Sequence, residues 1–222
     1  MEYIRIRSIE DPLFESMHRL MGTVFPPEEV LAAGKWKEPL EDEGIHVYAA
    51  VLEGEVVGAT EYRYYADMRV AMTDFTIIGL PNLGIGRFLM RNREKDIARL
   101  AAASGTEPIG MFAEIYNPLL VDYEFGGVAA MNPYVRREVL SHIGYQRLDF
   151  PYVHPSWEEN GDAVEGLDLC FLPQDEAMTA VPASLVTAFL ERYYTALPNK
   201  PAAWHEMIAL LKKEEAVKLK AI

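Results

Sequence analysis

The chain has 222 residues, of which 50% are apolar, and its 34 acidic and 21 basic side chains give a formal net charge of -13. This length and composition predict a sizeable core in one large domain, or in one domain with an appendage. The negative charge repels nucleic acid and anionic membranes, so neither is an expected partner, whereas it attracts cationic amines. No apolar stretch approaches the roughly 20 residues that span a bilayer, and charges occupy the place of a signal peptide's apolar centre. We therefore expect a soluble, cytoplasmic protein.

The cysteine and histidine pattern predicts neither a metal site nor a reactive thiol. Cys170 is the single cysteine and lies in the apolar segment GLDLCFL, so we expect a buried structural thiol. The histidines lack the i, i+4 spacing of a helical metal pair, so we expect no bound metal.

The first part of the chain predicts strands and helices in alternation. Strands are assigned from the alternation of apolar and polar residues, and helices from helical periodicity bounded by proline. The predicted elements are, in chain order, a strand over 2–7, a helix over 13–25, a short helix and a mobile loop over 28–44, and a β-hairpin that turns at Glu53-Gly54.

The middle of the chain predicts a strand–helix–strand crossover. A strand over 67–80 leads into the segment GLPNLGIGRFLM, which opens a long helix that ends at Gly105. A strand over 108–116 follows.

A short helix over 132–146 and a second hairpin around Asn160-Gly161 come next. Because hairpins flank the crossover, the sheet is expected to be mixed rather than purely parallel. The predicted fold class is therefore α/β with a mixed α+β sheet.

After residue 173 the pattern changes to two predicted helices, over 181–197 and 201–222. Large apolar side chains recur there at helical spacing, and such a stripe indicates core or a subunit contact rather than a cofactor site. We expect one domain over 1–173 and a two-helix extension over 174–222, packed on the domain or at a subunit interface. A homodimer is one arrangement that would bury the stripe.

The segment GLPNLGIGRFLM, residues 79–90, joins a predicted strand to a helix. Glycines at a helix N-terminus let an anion approach free backbone N–H groups, and Gly84 and Gly86 meet this requirement. Positive charge near the start of the helix comes from three arginines, Arg87, Arg91 and Arg93. The Lys and hydroxyl residue of a Walker loop and the third glycine of a dinucleotide fingerprint are absent, so we predict an anion site of neither type.

The order of elements over roughly 2–173 resembles the GCN5-related N-acetyltransferase (GNAT) superfamily. The family's loop after the fourth strand carries Arg or Gln, two residues, and Gly-x-Gly or Gly-x-Ala, and its amides hold the coenzyme A pyrophosphate. Gly84-Ile85-Gly86 matches the glycine half, while LEGEVVGAT and SHIGYQRLDF resemble the preceding hairpin and the later helix end and strand. The resemblance implies a GNAT-like acyl-CoA N-acyltransferase fold with a C-terminal helical extension. It also implies that coenzyme contacts come from the strand end and turn, at Ile77, Ile78, Leu83, Gly84, Ile85, Gly86 and Arg87.

Direct acyl transfer needs a neutral amine, a donor for the developing oxyanion and a group that removes the proton. The family places the acyl group where its fourth and fifth strands separate, which corresponds here to about 73–80 and 109–116. Asp74 and Glu114 are the carboxylates on these strands. We expect burial to raise the pKa of Glu114 and make it the base, whereas Asp74 could equally cap its strand.

Two positions depart from the family pattern. Pro81, which has no backbone N–H, occupies the Arg or Gln position, and Leu140 occupies the position of the tyrosine that protonates the departing thiolate. We assign Tyr116 and Tyr145 as candidate catalytic residues beside Glu114. Tyr134 and His142 remain open as alternatives for the acid.

The connection over 117–132 is longer than is usual in the family. We predict that it is a substrate lid with a hinge at Gly126-Gly127, with an ordinary surface loop or an oligomer contact as the alternatives. Three residues in it are expected to face a cationic amine, namely Asp122, Tyr123 and Glu124.

The sequence thus predicts an N-acetyltransferase that uses acetyl-CoA, without a metal, and transfers the acetyl group directly to a primary amine. The expected acceptor is a small, cationic molecule, although the sequence names neither it nor the acyl chain length. The alternative is a non-catalytic acyl-CoA-binding or partner-binding protein on the same fold, which Pro81 and Leu140 favour. A third hypothesis is an assembly protein whose C-terminal helices form the functional surface.

Overall fold

A computed structural model describes residues 1–25, 30–120, 132–155, 163–164, 166–197 and 199–222. The chain divides into two compact units, Met1–Met111 with Tyr123–Arg136 (unit 1) and Phe112–Asp122 with Arg137–Ile222 (unit 2). Neither unit is bounded at residue 173, so the division into 1–173 and 174–222 stays a prediction.

Unit 1 contains four strands that pair antiparallel in chain order, β1 (Glu2–Ile6), β2 (Ile45–Leu52), β3 (Glu55–Tyr65) and β4 (Val70–Ile78). Its helices are α1 (Pro12–Val24), α2 (Lys37–Glu41) after a 3-10 turn at Ala33–Trp36, and α3 (Ile85–Ala103). These elements confirm the strands, the first helix and the long helix that the sequence predicts.

Local signals in the sequence explain several of these boundaries. The Asp11 side chain accepts a hydrogen bond from the Leu13 N–H at 2.9 Å and caps α1, which begins at Pro12. Glu53 and Gly54 both have positive φ, 53° and 86°, as the two-residue turn of a β-hairpin requires. The first hairpin is therefore confirmed at the predicted turn.

Unit 2 contains most of β5 (Gly110–Tyr116) and α4 (Pro133–Ile143), followed by strands and helices from the rest of the chain. These are β6 (Gln146–Leu148), β7 (Leu167–Pro173), β8 (Ala180–Pro182), α5 (Ala183–Tyr193), α6 (Ala202–Leu211) and β9 (Ala216–Ala221). The strand order is β5-β7-β6-β9-β8, and β6–β7, β6–β9 and β8–β9 are antiparallel pairs.

The predicted helix over 201–222 is wrong in its second half, because α6 ends at Leu211 and the last residues form β9. Lysines alternate with apolar residues in β9, and Val217 is buried there. Pairing with β6 on one side and β8 on the other satisfies the backbone, so the segment is a strand.

The second predicted hairpin is only partly present. β6 and β7 pair antiparallel, but β6 has three residues and residues 149–153 continue without strand structure. A single antiparallel bridge joins His154 to Val164. The predicted turn at Asn160-Gly161 lies outside the described residues.

Aromatic side chains dominate the core of unit 2. The ring of Phe112 on β5 lies 4.0 Å from that of Phe189 on α5 and 4.8 Å from that of Phe171 on β7, measured between centroids. The helical stripe predicted after residue 173 therefore contributes to a core within this chain. No helix in the described part of the chain is long and apolar enough to cross a membrane.

Candidate functional site

The glycine turn lies where β4 leads into α3 in unit 1. Gly84 is the N-cap of α3, with φ of 68°, and the first helical bond runs from the Phe88 N–H to its carbonyl at 2.9 Å. In the described part of the chain no side chain caps this end, and the first turn of α3 has no acidic residue. The free N–H groups and the partial positive charge of the helix start are therefore available to an anion.

Close packing holds the start of α3 against the sheet. A Cβ on Gly86 would lie 2.9 Å from Cδ1 of Ile78, and one on Gly58 would lie 2.5 Å from Cγ2 of Ile85 and 2.8 Å from the Ile77 carbonyl oxygen. A Cβ on Gly84 would meet no atom within 4 Å. Gly84 is therefore required by its positive φ, whereas Gly58 is required by space.

The residues that the sequence predicts for coenzyme binding differ in how they could act. Ile77 and Ile85 are buried in unit 1, so only their backbones could contact a ligand at this turn. Leu83 and Arg87 are exposed beside Gly84, and Ile78 is half-buried. The turn thus offers backbone donors, the exposed cation of Arg87 and exposed apolar side chains that include Leu83.

The prediction that Arg93 adds positive charge to the turn is wrong, because its guanidinium is buried against the sheet. It is 4% exposed, and its Nη1 donates hydrogen bonds to three hydroxyls on β3 and β4. The acceptors and distances are Thr60 at 3.1 Å, Thr73 at 2.9 Å and Thr76 at 2.8 Å.

A β-bulge interrupts β4 beside this guanidinium. Glu61 pairs with Phe75 and Arg63 pairs with Met72, so two residues of β4, Thr73 and Asp74, lie opposite one residue of β3. The extra residue changes the face to which the following side chains point.

Glu61 and Asp74 form a carboxyl pair across the bulge. Burial raises the pKa of Glu61 well above its usual range, and the Asp74 charge and a hydrogen bond with Asp74 raise it further, against the opposing effect of Arg63. Both effects of Asp74 therefore favour the protonated form of Glu61. Asp74 was a candidate from the sequence, whereas Glu61 was not, although an acidic residue inside an apolar and aromatic strand was an available signal.

Aromatic residues extend the face that holds Glu61. Phe75, its partner in the register, lies edge-on to Trp36 with ring centroids 6.2 Å apart, and Trp36 lies 6.3 Å from Phe14 of α1. Unit 1 therefore places a carboxyl pair next to an aromatic group.

Glu114 of β5 lies in a separate cluster within unit 2. One carboxylate oxygen accepts hydrogen bonds from the hydroxyls of Tyr152 and Tyr194, and the other lies 3.4 Å from Nε2 of His154. Burial acts to raise the pKa of Glu114, but the His154 charge and the three hydrogen bonds outweigh it and lower the pKa below its usual range. The expected rise in pKa is therefore wrong, and a catalytic role for Glu114 stays a prediction.

The remaining predicted residues are not brought to one described site. Tyr116 ends β5 and its carbonyl accepts a hydrogen bond from Arg137, and Tyr145 is 2% exposed after α4. Their catalytic roles stay predictions. The predicted lid residues Asp122, Tyr123 and Glu124, with the hinge at Gly126-Gly127, lie outside the described residues. Among the described residues no three His, Cys, Asp or Glu side chains could hold a metal ion.

Comparison by sequence finds no matching family model and no matching curated protein. Comparison by structure finds a protein described as a GNAT-family acetyltransferase from Bacteroides thetaiotaomicron, with a TM-score of 0.59 and 14% identity, covering 89% of this chain and 97% of that one. A second, from Desulfovibrio desulfuricans, has a TM-score of 0.50 and 18% identity over 78% and 98% of the two chains.

The fold is that of the GNAT acetyltransferases. A further similar structure is an aminoglycoside 6'-N-acetyltransferase complexed with coenzyme A, with a TM-score of 0.51 and 15% identity over 77% of this chain and 95% of that one. The GNAT-like fold predicted from the sequence is thus confirmed, and the glycine turn described above belongs to a fold whose solved examples include a coenzyme A complex.

Proposed function

We propose that the protein is an acetyl-CoA-dependent N-acetyltransferase that acts on the primary amine of a small, cationic molecule. The observation that supports this most directly is the uncapped start of α3, where Gly84 and Gly86 leave backbone donors open to an anion on a GNAT fold. Fold similarity by itself does not establish an activity. The open backbone N–H groups of the turn supply the chemical basis for binding the anionic coenzyme.

The residues at the turn fit the pyrophosphate of coenzyme A. The N–H groups of the first turn of α3 would donate to it, and the exposed Arg87 would add a cation. Pro81, on the other side of the turn, contributes no N–H. Acetyl-CoA supplies the activated acyl group, and the protein supplies its position and the proton transfer.

The Glu61–Asp74 pair suits the proton-transfer step. In the reaction the amine nitrogen forms a bond to the acetyl carbon, the carbon–sulfur bond breaks, and the coenzyme leaves as a thiolate while the amine loses a proton. We propose that the pair accepts this proton, because a raised pKa makes the carboxyl group of Glu61 a better proton acceptor. Glu114 is a weaker candidate because its pKa is lowered.

Charge supports a cationic acceptor. The Glu61–Asp74 carboxyl pair lies beside Phe75, whose ring contacts Trp36, and the chain as a whole has a net charge of -13. An ammonium group could bind to both a carboxylate and an aromatic face before it loses its proton.

Thermal unfolding with acetyl-CoA, coenzyme A and a matched ATP control tests the proposal. Ligand at about 100 times Kd stabilises by roughly 2.7 kcal/mol, or about 5–10 °C for a chain of this size. Gly86→Glu should lose the shift, whereas Gly34→Glu, at an exposed glycine with no atom within 4 Å of its Cβ position, should keep it. The absence of any shift at millimolar coenzyme would contradict the proposal.

A non-catalytic acyl-CoA-binding protein is the second candidate, since Leu140 cannot donate a proton to a departing thiolate. A panel of primary amines, with free thiol measured as the product, separates the two functions. A thermal shift without turnover on any amine would favour the second candidate.

A further inference from the structure

The side chains that surround Arg93 can meet only because β4 is bulged. Alternate residues of a regular strand face opposite sides of a sheet, so residues three apart cannot share one face. Thr73 and Thr76 are three apart, yet both hydroxyls accept hydrogen bonds from Nη1 of Arg93. The guanidinium and the bulge therefore depend on each other.

The threonine hydroxyls also donate hydrogen bonds to the backbone of both strands. Thr73 Oγ1 donates to the Glu61 carbonyl at 3.0 Å, and Thr60 Oγ1 donates to the Phe75 carbonyl at 3.1 Å. Thr60 and Thr76 hydroxyls lie 3.2 Å apart. The network thus bonds to the backbone of both strands at the Glu61–Phe75 pair, which borders the bulge.

Burial of the Arg93 charge among these hydroxyls costs free energy of folding. Arg93 is charged at all physiological pH values and is buried with hydroxyl acceptors, and among the described residues no carboxylate lies within 4 Å of it. Its Nε is also buried without a hydrogen-bond partner in the described part of the chain. Apolar residues of similar size would fill the same space without a buried charge.

We propose that Arg93 is a positioning residue for the Glu61–Asp74 carboxyl pair, because with Thr60, Thr73 and Thr76 it fixes the bulge that turns Asp74 toward Glu61. The catalytic meaning of this inference rests on the proposed function, whereas the pairing of the two carboxyls does not. The charged groups that act on Glu61 are Asp74 and Arg63, and Arg63 is itself paired with Asp42.

Titration of the side-chain carboxyl carbons by 13C NMR tests the pairing without any need for turnover. The variants are Arg93→Met and Thr73→Val, and Asp74→Asn assigns the Glu61 signal. Matched controls are Arg91→Met, an exposed arginine on the same helix, and Thr23→Val, an exposed threonine on α1. All are compared as folded proteins.

The sign of the shift separates positioning from simple electrostatics. Removing a nearby cation by itself raises the pKa of a carboxyl group. Separation of the pair instead lowers the titration midpoint of Glu61 toward that of an ordinary glutamate, because the Asp74 charge and hydrogen bond are lost. We expect this downward shift in Arg93→Met and Thr73→Val, no shift in the controls, and a smaller shift in Arg93→Lys, which keeps a cationic donor.

The inference is overturned if the titration midpoint of the Glu61 carboxyl group stays unchanged or rises in the folded variants. If Arg93→Met does not fold, Thr73→Val compared with Thr73→Ser decides it, since serine keeps the hydroxyl and valine does not. In the amine assay, misplacement of the pair should lower kcat on the order of 10²-fold. If the wild-type protein transfers no acetyl group, the proposed function fails while the titration still decides this inference.

Discussion

The Tyr194 hydroxyl, just beyond α5, donates a hydrogen bond to the carboxylate of Glu114 on β5, 80 residues earlier in the chain. Tyr152 donates to the same oxygen, and the two phenol oxygens lie 2.6 Å apart. A residue from the predicted extension over 174–222 therefore belongs to the surroundings of a carboxylate in the predicted domain over 1–173.

Tyr194→Phe should destabilise the protein, because a buried carboxylate loses one charge-assisted donor. We expect a loss of about 1.5–3 kcal/mol in the free energy of unfolding, measured in urea. The control is Tyr134→Phe, whose side chain is 60% exposed and should change stability little. Equal stability of the two variants would show that the Tyr194 hydrogen bond contributes nothing.

Asp74→Asn should lower kcat by about 10²-fold or more, because it removes one carboxyl group of the proposed proton acceptor. The control is Asp67→Asn, at an exposed position in the turn before β4. Glu114→Gln is measured in parallel over the full pH range. A larger loss of kcat in Glu114→Gln than in Asp74→Asn would restore Glu114 as the base and contradict the assignment made here.

His46 should make the protein less stable in acid. Burial lowers its pKa from 6.5 to about 4, aided by nearby arginines and opposed by Asp96. Between these two values the unfolded chain binds more protons than the folded one, so the free energy of unfolding falls as the pH decreases. His46→Phe keeps a ring that can stack on Tyr62. Between pH 7 and pH 5 its free energy of unfolding should fall by about 2 kcal/mol less than that of the wild-type protein.

The control for the acid experiment is His205→Gln, because His205 is exposed on α6. It should follow the wild-type pH dependence. Identical urea midpoints of wild type and His46→Phe at pH 5 and pH 7 would show that His46 does not contribute.

Gly58→Ala should destabilise unit 1 by about 1–3 kcal/mol, because the new methyl group meets the Ile77 carbonyl and the side chain of Ile85. It should also weaken coenzyme binding by displacing the start of α3. Gly22→Ala is the matched control, since its Cβ meets nothing within 4 Å and a helical alanine stabilises by about 0.5–1 kcal/mol. A Tm of Gly58→Ala equal to or higher than that of the wild-type protein would contradict the packing argument.

The sequence predicted correctly those elements whose boundaries depend on residues close by in the chain. The hairpin at Glu53-Gly54 and the helix cap at Asp11 need only residues within a few positions. β9 was missed because its lysines and preceding glutamates suit a helix equally well. The segment is a strand because it pairs with β6 and β8, which are distant from it in the sequence.

The candidate site could be predicted only in part for the same reason. The glycine turn is a local feature, so the positions of Gly84 and Gly86 between a strand and a helix predicted the turn, while their role in coenzyme binding stays a prediction. The bulge at Thr73 and Asp74 is a property of strand register, and one extra residue reverses the face of a side chain. The burial of Arg93 and the pairing of Glu61 with Asp74 follow from that register, so no single segment of sequence revealed them.

The Arg93 network also restricts the order in which this protein can evolve. Replacing the arginine first would remove the donor that three threonine hydroxyls share, and replacing the threonines first would leave a buried cation without acceptors. A buried cation without acceptors costs about 1–3 kcal/mol for each unsatisfied group, whereas a wholly apolar set need not be destabilised. Substitutions at Arg93, Thr60, Thr73 and Thr76 should therefore show strong epistasis, and descendants of this chain should keep all four or lose them together.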